Sequence, residues 1–270
     1  MHIDTHSHLY ETKFDVDRED VLQRMKEEGV TNIVVGVSLE TSKQAIELAK
    51  KEEQVVGATI GVHPTDTNEK FDTKVYEELL CDEVVGVGEC GFDYYRTPKE
   101  EVYVHQREIF EAQVVFAAEN DLPLMLHVRP SENSTDAHDD ALEVLELYQK
   151  TYGGAVRGNA HFFTSTKEIA RAYLELGFTI AFPGVITFAP ELAEVVRDVP
   201  LDMMLAETDA PYAAPEPHRG KRNEPVFVID TIKAIAEIRG EDFDTVAKQL
   251  QKNAQTVFLK AKSPKDSLMS

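Results

Sequence analysis

The stretch that constrains the fold most runs from Val84 to Tyr95 and reads VVGVGECGFDYY. Its apolar, β-branched beginning is typical of a strand that is buried on both faces of a parallel sheet. The apolar run stops abruptly at the carboxylate of Glu89. A buried carboxylate costs free energy unless a cationic group compensates it. We therefore predict that this strand carries Glu89 to the rim of a sheet, next to a cationic partner.

Short apolar runs alternate with amphipathic segments along the whole chain. The amphipathic segments have apolar residues at helical spacing, as at Val102, Ile109 and Phe116. This alternation is typical of βαβ units, and eight such runs predict an α/β fold with one closed (β/α)8 barrel of the TIM type. The predicted strands are Ile3–Thr5, Asn32–Val35, Val55–Ile60, Val84–Gly88, Pro123–Leu126, Val156–Ala160, Thr179–Phe182 and Met203–Ala206.

The composition predicts one domain over residues 1–270, because a barrel of about 250 residues would use the 42% hydrophobic content in a single core. Cys81 and Cys90 are the only cysteines, so we expect no disulfide framework and a cytoplasmic location. No apolar run approaches the roughly 18 residues of a membrane span, and we expect no membrane partner. The polar end from about Lys262 to Ser270 is predicted to be loose.

The net charge of −21 argues against a protein that grips a long nucleic-acid duplex. Such proteins usually present a basic face to the phosphates. A small site remains compatible with this charge, because bound divalent cations supply local positive charge that a residue count omits. A nuclease that takes one strand end is therefore not excluded.

Side chains of the metal-ligand type follow several predicted strands. His6 and His8 are alternate residues after the first strand, so an extended backbone points both imidazoles the same way. His127 and His161 each close a later apolar run. Any one of these is more often an ordinary rim or core histidine than a ligand. Together with Glu89 they fall at the ends of four strands, which favours a metal site at one rim.

Asp209 follows the eighth apolar run, in AETDAPY. It could be an Asx-turn residue before Pro211. It could also be a metal ligand that takes a proton from an attacking water. The neighbouring ligand-type residues favour the second role. Glu207 is equally well explained as a residue that orients a ligand or as a loop cap.

Residues near these positions are candidates for substrate contacts. His63 ends the third apolar run and would either hydrogen-bond a substrate phosphate or close a turn before Pro64. Arg129 lies two residues past the His127 position, and its forked donors suit a phosphate. Tyr94 and Tyr95 would either stack a nucleobase or pack in the fold.

Two long connections, Pro130–Asp139 and Pro211–Glu224, are candidate substrate loops because they follow predicted strand ends. The second contains the one concentrated basic stretch, with Arg219, Lys221 and Arg222. A charge run is usually a solvated surface. Its place just after the eighth strand favours a contact with substrate phosphates.

These motifs together resemble the TatD family of metal-dependent deoxyribonucleases, within the amidohydrolase-like barrels. The segments that carry the resemblance are IDTHSHL (3–9), GVHP (61–64), VGECGFDYY (87–95), LHVR (126–129), ETDAPY (207–212) and RNEP (222–225). The resemblance implies a (β/α)8 barrel with two metal ions. The implied ligand sets are His6, His8, Glu89 and Asp209 for one ion and Glu89, His127 and His161 for the other.

The chain departs from the family pattern at two places. It has HFFTS at 161–165, where the family commonly has HCFSG, and Thr65 stands where a second histidine often follows His-Pro. Both segments would line the mouth of the site. The departures therefore bear on the choice of substrate rather than on metal binding.

The resulting expectation is a hydrolase that cleaves phosphodiester bonds from a DNA strand end, with single-stranded DNA or a nucleic-acid end as substrate. Glu89 would bridge two divalent ions and Asp209 would act as base. A mixed histidine and carboxylate shell suits Zn, Mn, Fe or Ni, and also admits Mg. The alternatives are a bimetal esterase or amidohydrolase, such as a D-aminoacyl-tRNA deacylase, and a metal-binding protein without turnover.

Overall fold

The computed structural model describes residues 1–66 and 69–259 of the chain. The polar end predicted to be loose, from about Lys262 to Ser270, lies outside the described residues. Within the described ranges, no helix has both the length and the apolar character needed to cross a membrane.

Eight parallel strands form one sheet in which each strand pairs with the next along the chain. Their bounds are β1 His2–Ser7, β2 Val30–Val35, β3 Val55–Ile60, β4 Val84–Asp93, β5 Leu124–Arg129, β6 Gly158–Ala160, β7 Thr179–Phe182 and β8 Met204–Ala206. A parallel bridge between Ser7 and Ala210 brings the two edges of the sheet together. The sheet is thus a nearly closed barrel that alternates with helices, which confirms the predicted fold class.

Helices surround the sheet in the described part of the chain. Their bounds are α1 Arg18–Glu27, α2 Leu39–Lys51, α3 Thr73–Glu77, α4 Lys99–Glu119, α5 Asp136–Tyr152, α6 Lys167–Glu175, α7 Ala193–Asp198, α8 Val228–Arg239 and α9 Phe243–Phe258. Side-chain oxygens of Ser38, Thr166 and Asp242 accept hydrogen bonds from the first turns of α2, α6 and α9. Such caps satisfy amide groups that have no partner within the helix.

The core lies on both sides of the strands. The predicted apolar stripe of α4 is buried at Val102, Ile109 and Phe116, within the large core cluster between helices and sheet. A smaller cluster joins Met125 of β5 to residues of β1, β2, β7 and β8, and Phe258 of α9 belongs to it. Because these strands come from opposite sides of the barrel, that cluster lies inside it.

Several element boundaries differ from the prediction, among them the end of β4 and the start of α5 at the rim. Strand β4 continues to Asp93 instead of stopping at Gly88, because it pairs with β5 along its whole end. Gly91 permits this pairing, since a Cβ there would lie 2.2 Å from the carbonyl oxygen of His127. The predicted loop Pro130–Asp139 is too long, because helix α5 already begins at Asp136.

Candidate metal centre

The ligand-type residues meet where the strands end at their carboxyl side. His6 lies in β1, Glu89 in β4 and His127 in β5, whereas His161 follows β6 directly. The barrel opens here into a cavity of about 1510 Å³, which Glu89, His127 and His161 line together with His8 and Asp209. His6 is fully buried behind this lining. The fold therefore brings together all six residues that the sequence analysis nominated as metal ligands.

Glu89 lies at the centre of the group, and its two carboxylate oxygens face different histidines. Its Oε1 lies 2.9 Å from His161 Nε2 and 3.5 Å from His127 Nδ1. Its Oε2 lies 3.7 Å from His8 Nε2. His6 Nε2 lies 3.5 Å from Oε1. The carboxylate thus spans two neighbouring sets of nitrogen donors.

Asp209 completes the set on the β1 side. Its Oδ1 lies 3.3 Å from His8 Nε2 and 3.6 Å from His6 Nε2. Its backbone amide donates to the carbonyl oxygen of His6, at 2.9 Å, which fixes the loop after β8 against β1. The residue has a positive φ of 57°, a region that Asp tolerates better than most residues.

Three of the histidines are oriented from behind by hydrogen-bond acceptors. Asp93 Oδ2 lies 3.0 Å from His127 Nε2, and Glu207 Oε1 lies 3.0 Å from His161 Nδ1. The carbonyl oxygen of Val35 lies 3.0 Å from His8 Nδ1. An acceptor behind the ring places the proton on that nitrogen and directs the lone pair of the other nitrogen forward.

These lone pairs converge as a metal ion requires. Ligand atoms lie within 4.8 Å of one another in three sets: His6, Glu89 and His161; His6, His8 and Asp209; and His63, Glu89 and His127. The Nε2 atoms of His6 and His8 are only 3.3 Å apart. Two imidazole lone pairs at that distance repel each other unless a proton or a cation lies between them. Nitrogen and carboxylate donors of this kind fit divalent transition-metal ions.

The ionisation of the buried groups agrees with a site for cations. Burial acts to raise the pKa of Glu89, but the imidazoles of His6 and His161 outweigh it and hold that pKa well below its usual range. Burial acts to lower the pKa of His161, but the carboxylates of Glu207 and Glu89 hold it well above the usual value. Burial, reinforced by the charge of His127, lowers the pKa of His63 to about 3.

Two of the predicted substrate residues line the cavity. His63 lies beside His127, with ring centroids 4.2 Å apart. Arg129 is exposed at the mouth, and its guanidinium lies 3.7 Å from the centre of the Tyr95 ring. Tyr95 is 56% exposed, so it is an aromatic surface beside the mouth.

Other predicted contacts lie away from the cavity. The described residues that line the cavity do not include Tyr94, Arg219, Lys221 or Arg222. The Tyr94 side chain is buried, and its hydroxyl donates to Asp140 at 2.7 Å. Arg219 and Lys221 are exposed, and the Arg219 guanidinium lies 3.8 Å from the centre of the Phe188 ring.

Arg222 has partners within the protein. Its guanidinium donates to Asp17 Oδ1 and Oδ2 at 2.7 and 2.6 Å and to Glu224 at 3.1 Å. It also donates to the carbonyl oxygen of Lys13 at 2.6 Å. This side chain therefore ties the loop after β8 to the segment after β1.

Sequence analysis missed three residues of the centre. Asp93 orients His127 and shares the face of Glu89, since alternate strand residues point the same way, but the predicted strand ends at Gly88 and so does not include it. Asp4 accepts hydrogen bonds from the amide and hydroxyl of Thr208, at 2.8 and 2.7 Å. Tyr212 lines the cavity with its ring centroid 6.1 Å from that of His8. The last two contacts join distant parts of the chain, and no local pattern predicts them.

The departures HFFTS and Thr65 also lie at the mouth. Phe162, Phe163, Thr164 and Ser165 line the cavity, as does Thr65. The amide of Phe162 donates to Glu207 Oε1 at 2.6 Å. Cys90, the neighbour of Glu89 in β4, is fully buried in the core cluster between helices and sheet.

Comparisons with known proteins agree with this geometry. The family model described as TatD related DNase matches residues 3–259. The chain is 37% identical to the uncharacterized metal-dependent hydrolase YabD of Bacillus subtilis (strain 168), over 96% of this chain and 99% of that protein. It is 36% identical to the 3'-5' ssDNA/RNA exonuclease TatD of Erwinia billingiae (strain Eb661), over 93% of this chain and 96% of that protein.

A solved structure is similar over the same extent. The crystal structure of YjjV, a TatD homolog from Escherichia coli K12, superimposes with a TM-score of 0.85 at 28% identity. The match covers 96% of this chain and 98% of that chain. The family model, the relatives and the barrel with its converging ligand set agree: this chain belongs to the TatD-related DNase family.

Proposed function

We propose that the protein is a metal-dependent nuclease that hydrolyses phosphodiester bonds at the end of a single DNA strand, with two divalent ions in its centre. The observation that carries the proposal is the position of Glu89. Its Oε1 lies nearest His127 and His161 and its Oε2 lies nearest His8, which supports a bridging carboxylate. His6 Nε2 lies 3.5 Å from Oε1 and forms ligand sets on both sides of the carboxylate. A centre for one ion would not need the two oxygens to face different donors.

The proposed ligand sets divide at this carboxylate. His6, His8, Glu89 and Asp209 would hold one ion, and Glu89, His127 and His161 would hold the other. Two divalent ions held by these residues would supply a clamp for a phosphate, an activated water molecule and positive charge to offset that on the leaving oxygen. Zn, Mn, Fe and Ni suit the mixed donors, and Mg is admitted by the carboxylates.

The protein's own groups then supply proton transfer and substrate binding. Asp209, whose side chain is 16% exposed, reaches the cavity and would accept the proton of the attacking water. His63 and Arg129 would contact the phosphate, because both line the cavity and offer N–H donors. Tyr95, beneath the Arg129 guanidinium, is better exposed than Tyr94 to stack a base.

The charges around the cavity favour a short contact with one strand. Among the described residues, the cationic side chains that line it are Arg96, Arg129 and Lys167, besides the histidines. Acidic side chains of Glu168, Glu191 and other residues also line it. With a net charge of −21, the protein would repel a long duplex and engage few phosphates. The named activity of the Erwinia billingiae relative, on single-stranded DNA and RNA, supports this substrate class.

Three substrates of matched concentration test the proposal: a labelled linear single strand, the same sequence as a closed circle, and an aminoacyl-tRNA. We expect shortening of the linear strand and no cleavage of the circle, and labels at each end would report the polarity. Hydrolysis of the aminoacyl-tRNA with none of the DNA would replace the proposal by the deacylase alternative. Tight metal binding with no turnover of any substrate would contradict an enzymatic function.

A further inference from the structure

His63 lies close enough to the centre to be taken for a metal ligand. One of its nitrogens forms a set with Glu89 and His127 in which ligand atoms lie within 4.8 Å of one another. Its ring packs edge to face against that of His127. Proximity alone would therefore add His63 to the shell of the second ion.

The hydrogen bonds behind the ligand histidines provide a criterion for this assignment. Three of the four proposed ligand histidines, His8, His127 and His161, have an acceptor behind the ring, a carbonyl oxygen or a carboxylate. Among the described residues, the fourth, His6, has a buried Nδ1 without a hydrogen-bond partner, so no donor opposes ligation there. In a neutral imidazole, the nitrogen that faces an acceptor carries the proton. The other nitrogen then presents a lone pair to the ion.

His63 has the opposite arrangement, because a donor lies behind its ring. The backbone N–H of Thr65 points at His63 Nδ1 from 3.2 Å. A backbone N–H can only donate, which favours the tautomer in which Nδ1 accepts and carries no proton. The Thr65 hydroxyl, 2.7 Å from the same nitrogen, is then its second donor. The single proton of the ring is left on Nε2, the nitrogen that remains to face the cavity.

We infer that His63 is not a metal ligand but a hydrogen-bond donor toward the substrate phosphate, and that Thr65 is the residue that holds it in this state. A ligand nitrogen needs a free lone pair, whereas Nε2–H has none to give. A phosphate oxygen near the second ion only accepts and fits such a donor. The identity of the acceptor rests on the proposed nuclease function; the proton position and the absence of ligation do not.

The proton position is measurable in the wild-type protein. Long-range ¹H–¹⁵N spectra of zinc-loaded protein with ¹⁵N-labelled histidine distinguish protonated from unprotonated ring nitrogens, and a His63→Gln variant assigns the signal. We expect a protonated Nε2 and an unprotonated Nδ1 for His63. A protonated Nδ1, or a zinc-bound Nε2, would overturn the inference.

Metal content gives a second, independent criterion. Elemental analysis of His63→Ala protein should find the same number of zinc ions per chain as wild type. A matched His127→Ala variant should lose metal, since its nitrogen is a proposed ligand. Loss of an equivalent from His63→Ala would make His63 a ligand and contradict the inference.

Kinetics on a short single strand test the role of Thr65. Thr65→Val keeps the shape and the backbone N–H but removes the hydroxyl, and we expect kcat/KM to fall about 3- to 10-fold, the effect of one hydrogen bond. Thr65→Ser keeps the hydroxyl and should restore the wild-type value. Equal kcat/KM in all three proteins would show that the Thr65 hydroxyl does not hold His63 in its donor state and would contradict that part of the inference. If wild type cleaves no DNA, the proposed function fails, while the spectra and metal content still decide the state of His63.

Discussion

Asp93 and Glu207 are not proposed ligands, but each carboxylate contacts the ring of a proposed ligand histidine. Asp93 lies behind His127 and Glu207 lies behind His161, each 3.0 Å from the outer ring nitrogen. Burial raises the pKa of Glu207, and the charge of His161 opposes that rise. A carboxylate in this position fixes the ring and raises the basicity of the nitrogen that faces the ion.

Removing the charge behind a ring should weaken metal binding without removing a ligand. We expect Asp93→Asn and Glu207→Gln each to lower the metal affinity by about 10- to 100-fold. Competition with a chromophoric chelator measures this. Asp198→Asn is the matched control, because Asp198 pairs with Arg171 on the surface, and its metal affinity should equal that of wild type. Wild-type affinity in the first two variants would show that the rings need no support.

The positions of residues at strand ends predicted the candidate ligands. The alternation of side chains along β4 also predicts which neighbours of Glu89 face the centre and which face the core. Glu89 and Asp93 share one face of β4, whereas Cys90 and Phe92 on the other face are buried in the core. Tyr94 has the parity of Cys90 and Phe92 and is buried with them. The glycine-rich stretch looked like a strand end, because the pairing that extends it comes from β5 and not from its own residues.

At the scale of elements, α5 and α6 meet beside the cavity through His138. Its Nδ1 lies 3.2 Å from the hydroxyl of Tyr173, and the side chain is buried. Burial lowers the pKa of His138 to about 4, against the opposing charges of Asp139 and Asp136. Between pH 6.5 and 4 the unfolded chain therefore binds one more proton here than the folded chain does.

This difference predicts a loss of stability as the pH falls. Wild type should lose about 2 kcal/mol more free energy of unfolding between pH 7.5 and 5 than His138→Gln, which keeps a polar partner for Tyr173 and does not titrate. Urea unfolding of both proteins at the two pH values measures the difference. The variant's absolute stability does not enter the comparison. Parallel losses in the two proteins would show that His138 titrates normally.

The strands were easier to predict than the start of α5. Most strands contain a local apolar run, so their approximate positions follow from their own residues. The first turn of α5 is polar, and local side-chain hydrogen bonds order the chain before it: Ser134 Oγ accepts from the amide of Asp136, whose own carboxylate accepts from the amide of Ser131. Such residues are equally common in loops, so the sequence predicted a loop there.

At the scale of the whole molecule, the net charge of −21 limits how a polyanion can bind. We expect KM to rise shallowly with salt: the slope of log KM against log salt concentration should be near +0.7 for each phosphate contact of a single strand, because affinity falls with a slope near −0.7. Arg129→Gln should reduce that slope by about 0.7 and raise KM, because Arg129 lines the cavity.

Lys221→Ala provides the matched control for this salt titration. Lys221 is an exposed cation that does not line the cavity, so its removal changes the net charge equally. We expect the wild-type slope and KM in this variant. A reduced slope in Lys221→Ala with an unchanged slope in Arg129→Gln would instead support the basic stretch at 219–222 as the phosphate contact.

The (β/α)8 fold class was predictable because its prediction requires only the number and alternation of strands and helices. The contacts that close it were not, since they join residues far apart in the chain. Ser7 pairs with Ala210, and Arg222 donates to Asp17 from 205 positions away. The basic stretch at 219–222 therefore resembles a phosphate site in sequence, whereas its Arg222 side chain pairs with acidic residues of the protein itself.

The central claim is that Glu89 joins two ions in one centre, and a metal titration tests it most directly. Protein freed of metal by a chelator is titrated with one divalent metal at a time, while hydrolysis of a linear single strand is followed. We predict no hydrolysis without metal, activity that saturates at two equivalents per chain, and loss of that activity in Glu89→Gln, whose neutral amide cannot balance two cations. Full activity in chelator, or saturation at one equivalent with Glu89→Gln as active as wild type, would contradict it.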